Sequence, residues 1–300
     1  MLHNGIELPA EWPPNYGPVT RDPMPVPYLD HPPAVIPIDI GRQLFVDDFL
    51  VESTTLTRTF HQPTPHTENP VLRPDTPDEL HDGQPCAMPF SDGVWYDPAD
   101  GLFKMWYLGR YMKHTCLATS PDGVRWEKPK LDVLPGTNVV LVANRDSSTV
   151  WLDHNAADPA ERYKLFLYSS DIERVVLRFS PDGIHWSGPV GTSGATGDRT
   201  TVFYNPFRDV WVYSMRGTSR IWWGRLRNYW EHSDPAAGLG WDKDNVIPWV
   251  TADGLDPRNP DPEFADIEPQ LYTLDGAPYE SLMLGFFSVW RGPDNAVCEE

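Results

Sequence analysis

The chain has 300 residues, a length that all-β folds often fill as one domain, and its 40% hydrophobic and 12% aromatic content, with 13 Trp, supplies a sizeable core and excludes the disordered class. Lys and Arg number 24 against 43 Asp and Glu, and the formal charge of -19 repels phosphate backbones and anionic bilayers, so neither nucleic acid nor a membrane surface is expected as partner. Cys86, Cys116 and Cys298 are odd in number and form no C-x-x-C pair, which argues against a disulfide framework and a zinc knuckle.

The first residues, Met1 to Pro9, lack a basic stretch followed by an apolar one, so no export signal is read and a cytoplasmic location is the default. Residues 1–37 hold ten prolines and little periodicity, which predicts an extended arm lying on the surface or disordered. Folded structure is expected from Ile38 to the end, as one domain over residues 38–300. Its first apolar segments are Gly41 to Glu52 and then Leu56 to Phe60, the latter alternating like a half-buried strand.

From there a strand-turn-strand pattern recurs about every 60 residues. Tyr96-Asp-Pro, Leu152-Asp-His, Tyr204-Asn-Pro and Tyr272-Thr-Leu each close an apolar strand. A turn rich in Asp, Gly, Ala or Pro follows each, and then a second strand: Phe103 to Leu108, Tyr163 to Tyr168, Val210 to Ser214 and Ser281 to Phe287. After the first two hairpins comes a third element with its own signature, Ser120-Pro-Asp-Gly-Val-Arg-Trp126 and Ser180-Pro-Asp-Gly-Ile-His-Trp186. Pro and Asp favour a turn and Gly supplies the positive φ, so a structural turn is favoured over a ligand loop. In the third repeat Arg220 to Trp230 replaces this motif, and Trp241 is the candidate for the packing role. Repeated strand-rich units of this kind predict an all-β fold, a β-propeller. The fourth repeat stops after two strands. Either the propeller is truncated after about four blades, or Leu44 to Phe60 completes the last one.

In a propeller the starts of the innermost strands surround one axis. Six residues before Leu152, Tyr204 and Tyr272 stand Asp146, Asp198 and Asp266, and the longer first loop, His81-Asp-Gly-Gln84, offers Asp82. Glu268 shares the strand side of Asp266 by the period of two. Clustered carboxyls push their pKa values apart, so that one holds a proton while another is ionised, and glycosidic cleavage needs that pair. Turn-capping Asp residues are the alternative reading. Arg199 is placed to bind a substrate hydroxyl or carboxylate, or to neutralise Asp198. Trp222, Trp223 and Trp230 are candidate sugar-stacking surfaces, while most Trp residues are expected between blades. Glu280 falls at the far turn and reads as structural. The histidines, including His61, His66, His81 and His154, show no metal-ligand spacing, and no phosphate loop occurs.

The stretches Arg162 to Ser169, Ser180 to Trp186 and Glu68-Asn-Pro-Val-Leu72 resemble the five-bladed β-propeller glycosidases, such as glycoside hydrolase families 32 and 43, over about residues 41–300. The resemblance implies a hydrolase that cleaves a furanoside or related bond in an oligosaccharide or polysaccharide, with no cofactor. It also implies one acid from each of three blades: Asp82 or Asp146 as nucleophile or base, Asp198 as the orienting acid and Glu268 as proton donor. Asp47 and Asp48 are further options for the first-blade acid. A binding propeller without chemistry is one rival reading. The other is a glycoside phosphorylase with Arg199 and Arg216 as phosphate ligands.

Overall fold

The structure, a computed structural model, describes residues 1–218, 224–242 and 244–293, leaving aside the side chain of Asp82. Its first sheet is formed by β1 (Val94–Asp97), β2 (Leu102–Leu108), β3 (His114–Ser120) and β4 (Val139–Val142). The second holds β5 (Ser148–Leu152), β6 (Tyr163–Ser169), β7 (Arg174–Ser180) and β8 (Gly191–Ala195). The third holds β9 (Thr201–Asn205), β10 (Val210–Thr218), β11 (Arg225–His232) and β12 (Ile247–Thr251), and a fourth holds, among the described residues, β13 (Gln270–Tyr279) and β14 (Leu282–Trp290). All pairings are antiparallel between sequence neighbours, so each unit is a meander. One short helix, α1 (Pro27–Asp30), and three 3-10 turns are the helical structure among the described residues.

The hairpins form where the turn chemistry placed them in three sheets. Asp97 pairs with Leu102, Leu152 with Tyr163 and Asn205 with Val210. Each turn is closed by a side-chain carbonyl or carboxylate two residues back: Asp97 accepts from Ala99 N at 3.0 Å, Asp153 from Asn155 N at 2.9 Å and Asn205 from Phe207 N at 3.0 Å. The Ser-Pro-Asp-Gly motifs are structural turns. Ser120 Oγ accepts from Gly123 N at 2.8 Å and Ser180 Oγ from Gly183 N at 2.9 Å, with both glycines at positive φ. The second turn also joins two sheets, because Trp106 of β2 donates its indole N–H to Gly183 O at 2.8 Å.

Successive sheets meet through their first strands. Val150 N donates to Asp92 O at 2.8 Å, Val202 N to Thr149 Oγ1 at 3.3 Å and Thr201 Oγ1 to Leu274 O at 2.5 Å. Aromatic side chains fill the gaps between sheets, as expected of most Trp residues. Trp151 meets Trp211 edge-on at 5.8 Å, and buried Trp241 packs on Tyr213 at 5.2 Å between ring centres.

Two sequence expectations need correction. Tyr272 does not end a strand: β13 runs on to Tyr279 and turns at Glu280, so Asp275-Gly276-Ala277-Pro278 is strand rather than turn. Residues 38–60 form no strand, and Phe45, Val46, Leu56 and Phe60 are exposed. The proline-rich arm before them is pinned to the third sheet. Trp12 donates to Tyr229 Oη at 3.0 Å, and Arg21 donates to Ala252 O at 2.8 Å and Pro269 O at 2.5 Å.

Candidate active site

The chain enters β1, β5 and β9 from the same end, through the segments Ser91-Asp-Gly93, Arg145-Asp-Ser147 and Asp198-Arg-Thr200. Asp92 and Asp146 stand two residues before their strands, and Arg199 occupies that position before β9. The fourth sheet contributes Asp275 from within β13, half-buried and hydrogen-bonded to the Ser91 side chain.

Asp92 and Arg145 are both fully buried and form a two-point ion pair at 2.7 and 2.8 Å. Arg145 also donates to Thr115 Oγ1 and to the carbonyl of Asp146, each at 2.8 Å. That fan of donors fixes the backbone that carries Asp146, whose own residue is 7% exposed. Burial pushes the Asp92 carboxyl up to about 6 against the pull of Arg145, and the charges of Asp146 and Asp275 push in the same direction as burial. Asp275 is likewise raised, by burial first, with Ser91, Arg227 and Arg199 opposing. The charges of Asp146 and Asp275 both reach Asp92, so carboxyls from three sheets come together at one place.

Cations hold them together. The Arg199 guanidinium lies 3.4 Å from Asp146 Oδ1 and 4.1 Å above the Phe90 ring centre, with Tyr272 at 5.5 Å. Its Nε is buried without a hydrogen-bond partner. Both stacked residues are non-glycine residues at positive φ, Phe90 at 41° and Arg199 at 60°, and such strained backbone gathers at functional sites. Arg227 is fully buried and donates to Arg199 O at 2.7 Å and Ser214 Oγ at 3.0 Å, and burial pushes it down to about 10.

The residues expected from sequence fall in different places. Asp146 and Arg199 are in the cluster. Asp198 lies beside it, ion-paired with Arg216, both part-exposed. Asp82 lies in a 3-10 turn, His81–Gly83, and its side chain is outside the described residues. His81 meets Arg110, which follows β2 at this same end, at 2.7 Å. Glu268 is 47% exposed, and its two oxygens pair with Arg21 at 2.9 Å and with Arg258. Asp266 is exposed in the loop before β13 and does not start that strand as Asp146 starts β5, because the fourth repeat is registered on Tyr279. Trp222 and Trp223 lie outside the described residues. Asp92, Arg145, Arg227 and Asp275 escaped the sequence reading. The available signal was Ser91-Asp-Gly93 directly before the Val94-Trp-Tyr strand, four residues rather than six before Tyr96.

No protein-family model matches the chain, and no curated protein matches it. Among solved structures it is similar to a GH32 β-fructofuranosidase from Bombyx mori, at 16% identity over 69% of this chain and 44% of that one, with a TM-score of 0.45. It is also similar to a thermostable family-43 glycoside hydrolase, at 12% identity, 65% and 61% coverage and a TM-score of 0.44. A third is an N-acetylgalactosamine deacetylase from F. plautii in complex with blood group B trisaccharide, at 17% identity, 61% and 57% coverage and a TM-score of 0.41. The chain thus resembles, distantly, the glycosidases named from its repeats, and it spans 32% to 57% of the first of these solved chains.

Proposed function

We propose that the chain is a glycoside hydrolase of β-propeller architecture, acting on a furanoside or related saccharide at the end where its inner strands begin. The observation that supports this is the convergence of Asp92, Asp146 and Asp275 from three sheets, with the half-buried Arg199 beside Asp146 and its charge felt by Asp275. Glycosidic cleavage needs one carboxyl that holds a proton for the leaving oxygen and a second that acts as base or nucleophile. Asp275, raised by burial, suits the proton donor, and Asp146 takes the base or nucleophile position. Asp92 is enclosed, so it works through Arg145 as a positioning residue for the Asp146 backbone. Asp198, held by Arg216, takes the role of orienting a sugar hydroxyl in this reading. Glu268 has both oxygens in ion pairs at an exposed position, so the donor role passes from it to Asp275.

A second reading, phosphorolysis, is favoured by the two guanidinium groups of Arg199 and Arg216, which stand against Asp146 and Asp198 respectively. Phosphate would then replace water as the acceptor of the glycosyl group. A screen of aryl glycofuranosides and glycopyranosides with and without inorganic phosphate tests both. Release of the aryl alcohol without phosphate supports hydrolysis, and phosphate-dependent release supports the second reading. No turnover on any substrate would leave a binding protein and overturn the proposal.

A further inference from the structure

The proline-rich arm leaves a space beneath it. β12 is the outer strand of the third sheet, the farthest in that sheet from β9, which Arg199 precedes. The arm crosses this edge and is pinned to the sheet at two points. Trp12 bonds to Tyr229 Oη, and the Arg208 guanidinium lies 4.9 Å from its ring centre. Arg21 donates to Ala252 O and Asp253 O, while its own carbonyl accepts from Gly254 N at 2.8 Å. Between and just beyond these pins, residues 14–25 and β12 line a cleft of about 320 Å³. That volume lies within the range of about 300–1,000 Å³ found for small-molecule sites.

The cleft combines flat rings with both kinds of hydrogen-bonding group. Trp249 of β12 is backed edge-on by Tyr229, at 5.1 Å between ring centres, the same tyrosine that anchors Trp12. Tyr16 stands on the arm, 45% exposed, in a wall with four prolines. Their fixed φ angles hold the wall in shape before a ligand arrives, which lowers the entropy cost of binding. Flat apolar rings of this kind receive the C–H face of a sugar. Asp22 Oδ2 accepts from Thr20 Oγ1 at 2.9 Å and Asp253 Oδ1 from Leu255 N at 2.7 Å, so each carboxylate keeps its other oxygen as an acceptor. Asn15 Oδ1 accepts from Gly17 N at 2.9 Å, so its amide nitrogen is left as a donor. A sugar hydroxyl gives and takes hydrogen bonds and uses both kinds, whereas an ammonium group only donates and leaves the Asn15 amide unanswered. Among the described residues no Lys, Arg or His lines the cleft, so its two carboxylates repel an anion.

We propose that the cleft between the arm and β12 is a saccharide-binding site separate from the axial carboxyls, taking an uncharged sugar stacked on Trp249 and Tyr16 with its hydroxyls on Asp22, Asp253 and Asn15. Hydrogen exchange of the full chain with neutral pentose and hexose trisaccharides at millimolar concentration tests it. With at least one of them, amides of Asn15 to Asp22 should exchange about tenfold more slowly when the site is filled. Tyr16 and Asp22 are exposed and take no part in the pins, so Tyr16→Ala with Asp22→Ala should weaken that binding about tenfold or more with the arm still in place. Asp146→Asn should leave the slowing unchanged, which separates this site from the proposed catalytic one. No slowing in the arm with any of the trisaccharides, slowing that survives the double substitution, or slowing lost in Asp146→Asn would overturn the proposal. So would slowing caused by tetramethylammonium or by uronic acid trisaccharides in place of the neutral sugars.

Discussion

Truncating Asp92 to Ala removes one half of a pair in which neither partner touches solvent. Arg145 keeps Thr115 Oγ1 and the Asp146 carbonyl as acceptors but loses both bonds to its counter-charge, so a cation is left buried. Breaking such a pair costs about 3–5 kcal/mol, whereas replacing both partners with apolar residues of similar volume is far less costly. Asp92→Ala is therefore expected to lower unfolding stability by about 4 kcal/mol, and Asp92→Leu with Arg145→Met to recover most of that loss. Urea titration of the wild type, both single variants and the double variant gives the coupling energy. The same pair carries a pH signature. The folded carboxyl lies at about 6 against an ordinary 3.8, so the stability contributed by its protonated form is full below the ordinary value and is lost as pH rises towards about 6, on the order of 3 kcal/mol. Relative to Asp92→Asn, the wild type should thus lose stability between about pH 4 and 6. Single variants within about 1 kcal/mol of wild type, or a double variant as unstable as the sum of the singles, would refute the reasoning.

Two glycine turns separate backbone strain from packing. Gly123→Ala places a Cβ in open space at positive φ and should cost about 1–2 kcal/mol, while Gly183→Ala adds a contact at 2.5 Å with the Trp106 ring and should lower the melting temperature more than twice as far. Equal shifts would contradict the sheet-joining role of the second turn. Glu79, fully buried, is pushed up by burial but held lower overall by Lys128, Tyr107 and the N–H groups of Asp75 and Thr76. A lowered folded value gives stability that is present above the ordinary carboxylate range and lost as pH falls through it, so Glu79→Gln should flatten the acid limb of the stability curve measured by urea titration. An unchanged acid limb would mean the carboxylate is not the group that anchors residues 75–80.

Local rules carried the reading through three sheets and failed in the fourth. Asp97, Asp153 and Asn205 all close hairpins by the short-range bonding that makes these residues turn formers, and both Ser-Pro-Asp-Gly motifs fold as turns for the same reason. Asp275-Gly276 has the same chemistry but sits inside β13. Gly276 is there because Phe203 of β9 packs on it, and a Cβ would stand 2.7 Å from the ring. That requirement comes from a residue 73 positions earlier and leaves no local trace. It moved the register of the repeat by several residues and with it the acid, from Asp266 to Asp275. Asp92 was missed for a related reason: β1 is one residue shorter than β5, so the spacing from acid to hairpin is not constant. The pairing of Glu268 with Arg21 depends on an arm that folds back across more than 240 residues, which no pattern in the loop itself signals.

The most direct measurement of the central claim is kcat/KM for Asp146→Asn, Asp275→Asn and Glu268→Gln on a glycoside that the wild type cleaves. Loss of about 100-fold or more in the two axial variants, with Glu268→Gln within a few-fold of wild type, is the predicted result. Full activity in Asp146→Asn and Asp275→Asn, or a loss confined to Glu268→Gln, would contradict it.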